Sequence, residues 1–347
     1  LIFITERMGK VMKVFMVGGT GLLGSEAARE LIRRGHEVSS IALPPLPEGE
    51  VLPPEMTIDF ANYMELSDDE LKGYLEGMDG LVFAAGVDER MEGPPPIYDL
   101  FEKYNITPLK RLLRIAKESG VKHAVICGSY FSYFDRAWPK MELYKHHPYI
   151  RSRVDQANMA LSFADDNFDV AVLELPYIFG TQPGRKPVWV FLVEQIRNMK
   201  KRTMYPKGGT TMVTVKQVAE TIAGALEKNK GGHNIPVGYY NLEWIQLISI
   251  IHRFMGTPEK KIVTIPTFLF KLGLRNTIKK QKQENLEPGL NMKYFPKLMT
   301  SKAFIDKKWI EALGVAPDDI DGAIGESVLL SLEILDGKTK TVDMKGE

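Results

Sequence analysis

The sequence predicts a doubly wound α/β fold, a parallel sheet with helices on both faces, joined to a smaller, discontinuous C-terminal substrate domain. Two observations carry that prediction. From residue 12 to about 175, short apolar runs rich in Val, Ile and Phe alternate with helical runs, the pattern of parallel strands linked by crossover helices. The first apolar run, Lys13-Val-Phe-Met-Val17, leads straight into Gly18-Gly-Thr-Gly-Leu-Leu-Gly24 and then into the helical Ser25-Glu-Ala-Ala-Arg-Glu-Leu-Ile32. Such a turn takes dihedrals that side chains resist and brings bare backbone N–H groups to a helix N-terminus, where a pyrophosphate can sit. The third glycine lets the helix pack close to the strand. Glycines at this spacing alone are a weak signal; strand, turn and helix in that order mark a dinucleotide site.

The first helix covers residues 27–34 and ends at Gly35. Residues 36–43 make the second strand and 56–60 a short third one. Ser67, followed by Asp68, Asp69 and Glu70, caps the next helix, because its hydroxyl accepts from the first turn and the acids complement the positive end. Then come a fourth strand at 80–86, a long amphipathic helix at 105–119, a fifth strand at 121–128, a helix at 149–163 and a strand at 168–175. A ligand belongs at the carboxyl ends of these strands. Beyond Pro176, the residues Pro183, Pro187, Pro206 and Gly208-Gly209 break the rhythm. A helix at 215–228 and a strand at 234–239 return to the sheet. The nucleotide domain is thus expected over 12–175 plus about 212–240, and the substrate domain over 176–211 and 241–330. The polar residues 331–347 read as a loosely held tail. Pro94-Pro-Pro96 reads as a stiff bend in a loop over the site.

Composition narrows the function classes. With 44% hydrophobic and 26% charged residues over 347 positions, the chain has the balance of a globular protein with an ample core. A net charge of +1 makes no electrostatic case for nucleic acid or a membrane surface. Its apolar runs stay short of the roughly 18 residues that cross a bilayer. The one cysteine, Cys127, lies in the apolar Ala124-Val-Ile-Cys127 and reads as a small buried hydrophobe in a reducing, cytoplasmic setting. His146 and His147 read as a solvated loop, and no second cluster argues for a metal. Residues 1–11 read as a leader before a natural start near Met12, too short for a signal peptide.

Several features recur in a telling order: Gly18-x-x-Gly21-x-x-Gly24, Asp59 after the third strand, Ala84-Ala85 closing the fourth, then Asn105. Gly128-Ser129, Tyr149 and Pro176-Tyr-Ile-Phe-Gly180 follow. Over about residues 12–325 this set resembles the extended (atypical) short-chain dehydrogenase/reductase family, the NAD-dependent epimerase/dehydratase group. The resemblance implies a Rossmann sheet holding NAD or NADP, a small-molecule substrate, and chemistry between the two domains. It implies cofactor contacts from Gly18, Thr20, Gly21, Leu22, Leu23, Gly24, Asp59, Phe60, Ala84, Ala85, Gly86, Asn105 and Pro176. A homodimer through helices 105–119 and 149–163 follows from the same resemblance, since a self-complementary patch closes with two-fold symmetry.

The expected chemistry is hydride transfer between a carbinol carbon and the nicotinamide, which needs a proton acceptor for the hydroxyl at the same moment. A phenol, with a pKa of about 10, suits the task when a nearby cation lowers it. The resemblance assigns Tyr149 as that acid/base and Ser129 as the hydroxyl that orients the substrate oxygen. Read as an ordinary surface residue, Tyr149 would simply start a helix, a weaker account given Ser129 upstream. Tyr133, Tyr177, Phe179 and Trp189 are the candidate substrate contacts.

Three departures qualify the resemblance. The family's Tyr-x-x-x-Lys is Tyr149-Ile-Arg-Ser-Arg153 here. Arg153 lies one helical turn from Tyr149 and carries a permanent charge for the phenol and the ribose hydroxyls, but it cannot release a proton. After the second strand, Ala42-Leu43-Pro44-Pro45 offers neither an acid for a ribose nor a base for a 2′-phosphate, so NAD and NADP stay open. Tyr177 and Thr211 stand where nucleotide-sugar-binding members carry Asn and Arg. Three readings follow: an oxidoreductase acting on a less charged carbonyl or alcohol, a nucleotide-sugar epimerase or dehydratase, and a nucleotide-binding protein with impaired catalysis.

Overall fold

A computed structural model describes residues 10–46, 49 and 51–342. The leader expected over residues 1–11 therefore falls, for residues 1–9, outside the described residues. In chain order the chain forms β1 (Lys13–Val17), α1 (Leu22–Arg33), β2 (Glu37–Ala42), β3 (Thr57–Phe60), α2 (Asp68–Leu75), β4 (Gly80–Phe83) and β5 (Glu92–Gly93). The helix α3 (Tyr98–Phe101) passes through a π-helical turn at Glu102–Ile106 into α4 (Thr107–Glu118). Then come β6 (His123–Cys127), α5 (Tyr130–Ala137), α6 (Leu143–His146), α7 (Pro148–Leu161), β7 (Asp169–Glu174) and β8 (Tyr177–Phe179). Next are α8 (Val190–Asn198), β9 (Thr203–Pro206), β10 (Gly209–Thr214), α9 (Val215–Lys228), β11 (Gly232–Pro236) and β12 (Tyr240–Glu243). The chain continues through α10 (Trp244–Phe254), β13 (Ile262–Ile265), α11 (Thr267–Gly273), α12 (Arg275–Gln283), β14 (Glu287–Pro288) and α13 (Phe295–Met299). It closes with β15 (Lys302–Ala303), α14 (Lys308–Glu311) and α15 (Ile320–Leu335).

Seven parallel strands in the order β11-β7-β6-β4-β1-β2-β3 make the central sheet. Strands covered on both faces must be apolar on both, and β1, β4, β6 and β7 are buried almost throughout. Successive side chains then serve opposite layers. Val14, Met16 and Val82 pack with Ala28 and Leu31 of α1 and Val218 and Ile222 of α9. Phe15, Val17 and Phe83 pack with Leu71 of α2, Leu112 of α4 and Ala160 of α7. Ser67 caps α2 as its sequence predicts: its hydroxyl accepts from Glu70 N at 3.2 Å while the Glu70 carboxylate accepts from Ser67 N at 2.7 Å.

The order reverses between β1 and β4, whose carboxyl ends frame the crevice where a doubly wound sheet takes its ligand. Outside the central sheet, β10 pairs with β8, β12 and β15, and β9 pairs with β13. Phe179, Trp189, Trp244 and Ile324 form a core for these elements and their helices.

Two expectations are corrected. The helix expected to open at Asn105 begins upstream at Tyr98, and Asn105 lies inside the π-helical turn. Pro108, which has no N–H to donate, stands two residues into α4 just after that turn. The tail expected from 331 starts later, because α15 carries the chain to Leu335 and buries Ser327, Val328 and Ser331. Beyond it, Val342 N donates to Gly184 O at 2.8 Å and Lys186 N to Val342 O at 3.1 Å, so the chain is held as far as Val342.

Candidate functional site

The three glycines of the first turn differ in why they are glycine. Gly18 has φ +88°, and a Cβ there would stand 2.5 Å from Ala84 O at the end of β4. At Gly24 a Cβ would lie 2.1 Å from Gly18 O, so only glycine lets α1 close onto the turn. Gly21 is extended at φ −78°, ψ 173°, and a Cβ there would meet nothing nearer than Gly18 O at 3.4 Å. Neither the backbone nor the packing requires glycine at position 21. Its bareness serves the space in front of α1, whose first turn has no side-chain cap and no acid. The residues present thus fit an anionic diphosphate at the positive end of that helix.

A segment beyond β8 closes over the same turn. Gln182 Nε2 and Arg185 Nη2 each donate to Thr20 O at 3.1 Å, and Arg185 Nε donates to Gln182 Oε1 at 2.9 Å. Burial pulls the Arg185 pKa down. A half-buried cation with no carboxylate partner among the described residues therefore stands beside the glycine turn. The motif reading did not find Gln182 or Arg185; the fold brings them there across more than 160 residues of chain.

Asn105 is fully buried, and its side chain is taken up by backbone: Oδ1 accepts from Val87 N at 2.8 Å and Nδ2 donates to Val87 O at 3.1 Å. It thereby sets the course of the chain after β4, where Ala84, Ala85 and Gly86 flank the crevice. Asp59 and Phe60 end β3 exposed, with Phe60 60% accessible. Pro176 links β7 to β8.

Tyr149 and Arg153 come together on α7. Arg153 Nε donates to Tyr149 Oη at 3.1 Å, Nη1 to Gln156 Oε1 at 2.9 Å and Nη2 to Val87 O at 3.2 Å. Tyr149 is buried, with its ring edge-on to Phe101 and Phe131. The sequence expectation of a depressed phenol pKa is corrected. Burial raises the Tyr149 pKa, and Glu89 and Asp88 add to the rise, against the lowering effect of Arg153. The Glu89 carboxyl is itself pushed up, first by burial and then by Asp88. Glu89 was not among the sequence candidates; its place just past the carboxyl end of β4 was the available signal.

Ser129 lies two residues beyond β6 and caps α5, where its Oγ accepts a long 3.4 Å bond from Phe131 N. Its own proton stays free to point elsewhere. Nearby, Ser132 Oγ and Arg136 Nη2 donate to the wholly buried Glu174 carboxylate at 2.8 and 2.6 Å, locking α5 to β7. Tyr177 packs against Tyr130, whose hydroxyl accepts from Thr210 Oγ1 at 3.1 Å. Tyr133 is partly buried on α5 beside Phe134. Phe179 and Trp189 stack on each other at 4.5 Å inside the core, and Trp189 Nε1 donates to Ile178 O at 2.8 Å. Thr211 is fully buried on β10.

The solvated-loop reading of the two histidines is corrected. His147 is 1% exposed, accepts from Asn291 N at 3.0 Å and has its pKa pulled down to about 4 by burial. His146 stacks on Tyr294 at 3.6 Å. Burial pushes the Cys127 thiol up to about 12, so it is no ready nucleophile. Among the described residues, no helix is long and apolar enough to cross a membrane.

Comparison with known proteins extends this picture. Several solved structures share the fold over nearly their whole length. The protein gox2253 superposes with a TM-score of 0.72 at 20% identity, covering 94% of this chain and 99% of its own. The UDP-N-acetylglucosamine 4-epimerase of Methanobrevibacter ruminantium M1, solved with UDP-N-acetylmuramic acid, gives 0.64 at 18% identity, covering 94% and 99%. The Bordetella bronchiseptica enzyme WbmH, solved with NAD+, gives 0.65 at 16%, covering 93% and 99%. At such identities the likeness is one of fold. No curated protein matches the chain by sequence. The sequence profile of one family, however, runs unbroken over residues 14–238, from the first strand past the last strand of the central sheet. That is well over half of the chain, and the protein belongs to the NAD dependent epimerase/dehydratase family.

Proposed function

We propose that this protein is an NAD(P)-dependent oxidoreductase that interconverts a carbonyl and an alcohol, with Tyr149 as the proton carrier. The observation behind this reading is the buried 3.1 Å hydrogen bond from Arg153 Nε to Tyr149 Oη. It lies at the N-terminal end of α7, which the topology sets at the carboxyl ends of the strands. The nicotinamide, when bound, supplies or accepts the hydride. Gly21 and the first turn of α1 would hold its diphosphate, with the Arg185 guanidinium bonded to the same turn. The other glycine-turn residues and Ala84–Gly86 would line the crevice, and Asp59 and Phe60 would flank the adenosine. Each outer nitrogen of Arg153 has two protons and one protein partner, which leaves one N–H apiece for ribose hydroxyls. NAD, named for the family, is the first cofactor to test and NADP the second.

Burial raises the Tyr149 pKa, which favours the phenol over the phenolate. In carbonyl reduction Tyr149 would donate its proton to the carbonyl oxygen and Ser129 Oγ a second hydrogen bond. Tyr130, Tyr133 and Tyr177 offer an aromatic wall without a charge, which suits an uncharged carbonyl, and Phe179 and Trp189 support that wall from behind. The experiment is turnover of NADH and NADPH against a panel of ketones and hydroxysteroids, repeated with Tyr149→Phe. Turnover that survives Tyr149→Phe removes this reading.

A nucleotide-sugar epimerase or dehydratase is the second reading, favoured by neighbours solved with UDP-N-acetylmuramic acid and with NAD and UDP. Against it, Thr211 is sealed in β10 where such proteins would present an arginine to the diphosphate. Calorimetric binding of UDP decides between the two. A cofactor binder with impaired catalysis, favoured by Arg153 in place of lysine, is the third reading, and it holds if no panel member reacts with the parent but Arg153→Lys gains activity.

The same proposal includes a cytoplasmic homodimer through α4 and α7. The outward face of α4 carries Lys110, Arg111 and Arg114, with Arg111 and Arg114 both paired to Asp68. Acids such as Asp99 and Glu102 of a second copy would have to oppose that face. The mass by light scattering should then fall toward a monomer as salt rises.

A further inference from the structure

The net charge of +1 conceals an uneven distribution. Residues 267–283, which make α11 and α12, contain Lys271, Arg275, Lys279, Lys280 and Lys282 and no acid. Within the described residues only Lys280 has an ionic partner, Glu284 at 4.0 Å, just past the end of α12. The same stretch holds three exposed large apolar side chains: Phe268, Leu269 and Leu272 are 63%, 43% and 42% accessible. The helix pair is fixed from behind at two points. Phe270 packs on Phe295, and the buried Gln281 donates to Glu92 Oε1 at 2.8 Å. Exposed apolar side chains and cations without an ionic partner among the described residues therefore occur together on one helix pair.

We propose that α11 and α12 form a docking surface for anionic lipid headgroups. The composition decides between lipid and protein as the occupant. Lysine is depleted in protein–protein interfaces, where it is costly to bury, and four of these five cations have no ionic partner among the described residues. At an anionic bilayer the requirements are met together: Phe268, Leu269 and Leu272 enter the headgroup–acyl boundary, and the lysines and Arg275 meet lipid phosphates and carboxylates. Two short helices set this way lie on a membrane without crossing it, in agreement with the lack of a spanning helix among the described residues.

The test is co-sedimentation of the full chain with phosphatidylcholine vesicles, with and without about one-third phosphatidylserine. Binding to the anionic vesicles should exceed binding to pure phosphatidylcholine by about tenfold and should be lost at roughly 0.5 M salt. Phe268→Ser with Leu272→Ser, and separately Lys279→Glu with Lys282→Glu, should each lower binding about tenfold. All four side chains are outside the core, so an unchanged melting temperature shows that the variants stay folded. Absence of binding by the parent overturns the proposal, as does binding that both variants retain. Two other results overturn it as well: a mass by light scattering that drops in the Phe268→Ser, Leu272→Ser variant, which makes a second copy the occupant, and capture of poly-glutamate with no uptake by vesicles, which makes it an acidic protein.

Discussion

Arg153 Nε stands 3.1 Å from Tyr149 Oη, one turn along the same helix, with the two residues only 8% and 4% exposed. A permanent cation here touches a phenol whose pKa burial raises and that cation lowers, with burial the larger effect.

The first prediction concerns that pair. Tyr149→Phe should lower turnover by about 10²-fold or more, with cofactor affinity nearly unchanged, because it removes a proton and little surface. Arg153→Lys should keep or raise the rate. Arg153→Met should lose both rate and affinity, and it strands Gln156 Oε1 at a cost of about 1–3 kcal/mol, while Val87 O keeps the bond from Asn105 Nδ2. With the phenol pKa raised, carbonyl reduction should hold through neutral pH and fall only in the alkaline range. Alcohol oxidation should climb as pH rises toward that range. Steady-state rates against pH in both directions check the sign.

The second prediction separates two glycines. Gly24→Ala places a Cβ 2.1 Å from Gly18 O and should destabilise the fold by about 1–3 kcal/mol. Gly21→Ala meets only Gly18 O at 3.4 Å, so its melting temperature should match the parent's. Its affinity for NAD(H) should nevertheless drop about tenfold or more as the methyl group takes the phosphate's place. Melting curves and calorimetric titration of both variants decide the matter, and equal cofactor affinity in Gly21→Ala would misplace the site.

Arg185 supplies a third. Its guanidinium donates to Thr20 O and has no carboxylate partner among the described residues. Arg185→Met should weaken NAD(H) and ADP-ribose by about tenfold and leave adenosine unaffected, since only the first two carry the diphosphate. Calorimetry with the three ligands reads the contrast. An equal loss for adenosine would point to a purely structural role.

The fourth is a pH effect on stability. His147 is buried neutral, with its pKa lowered from 6.5 to about 4. A histidine whose folded pKa is depressed stabilises the fold above its unfolded pKa, and that stability drains away as pH falls from about 6.5 toward 4. The full shift amounts to roughly 3 kcal/mol. Urea unfolding between pH 7.5 and 4.5 should show this slope (flanking values about the two pKa limits), and His147→Gln should flatten it.

What was legible in the sequence was short in range. The strand–turn–helix of Gly18–Gly24, the β/α alternation, the Ser67 cap and the spacing of Tyr149 and Arg153 all rest on neighbours within a few residues. For these, backbone geometry and helical periodicity alone settle the outcome. Other features depended on segments far apart in the chain. Arg185 reaches Thr20 across 165 residues, and His147 takes its hydrogen bond from Asn291, 144 residues on. The sign of the Tyr149 shift belongs with them. A single nearby arginine predicts a lowered pKa, but burial among side chains such as Phe101 and Phe131 desolvates the phenol, the charges of Glu89 and Asp88 add to that, and the direction reverses. The sequence by itself determined which groups are present and which local turns they make. Only the tertiary structure decided how far each is removed from water and which charge it faces, because burial is a sum over every segment that folds around it.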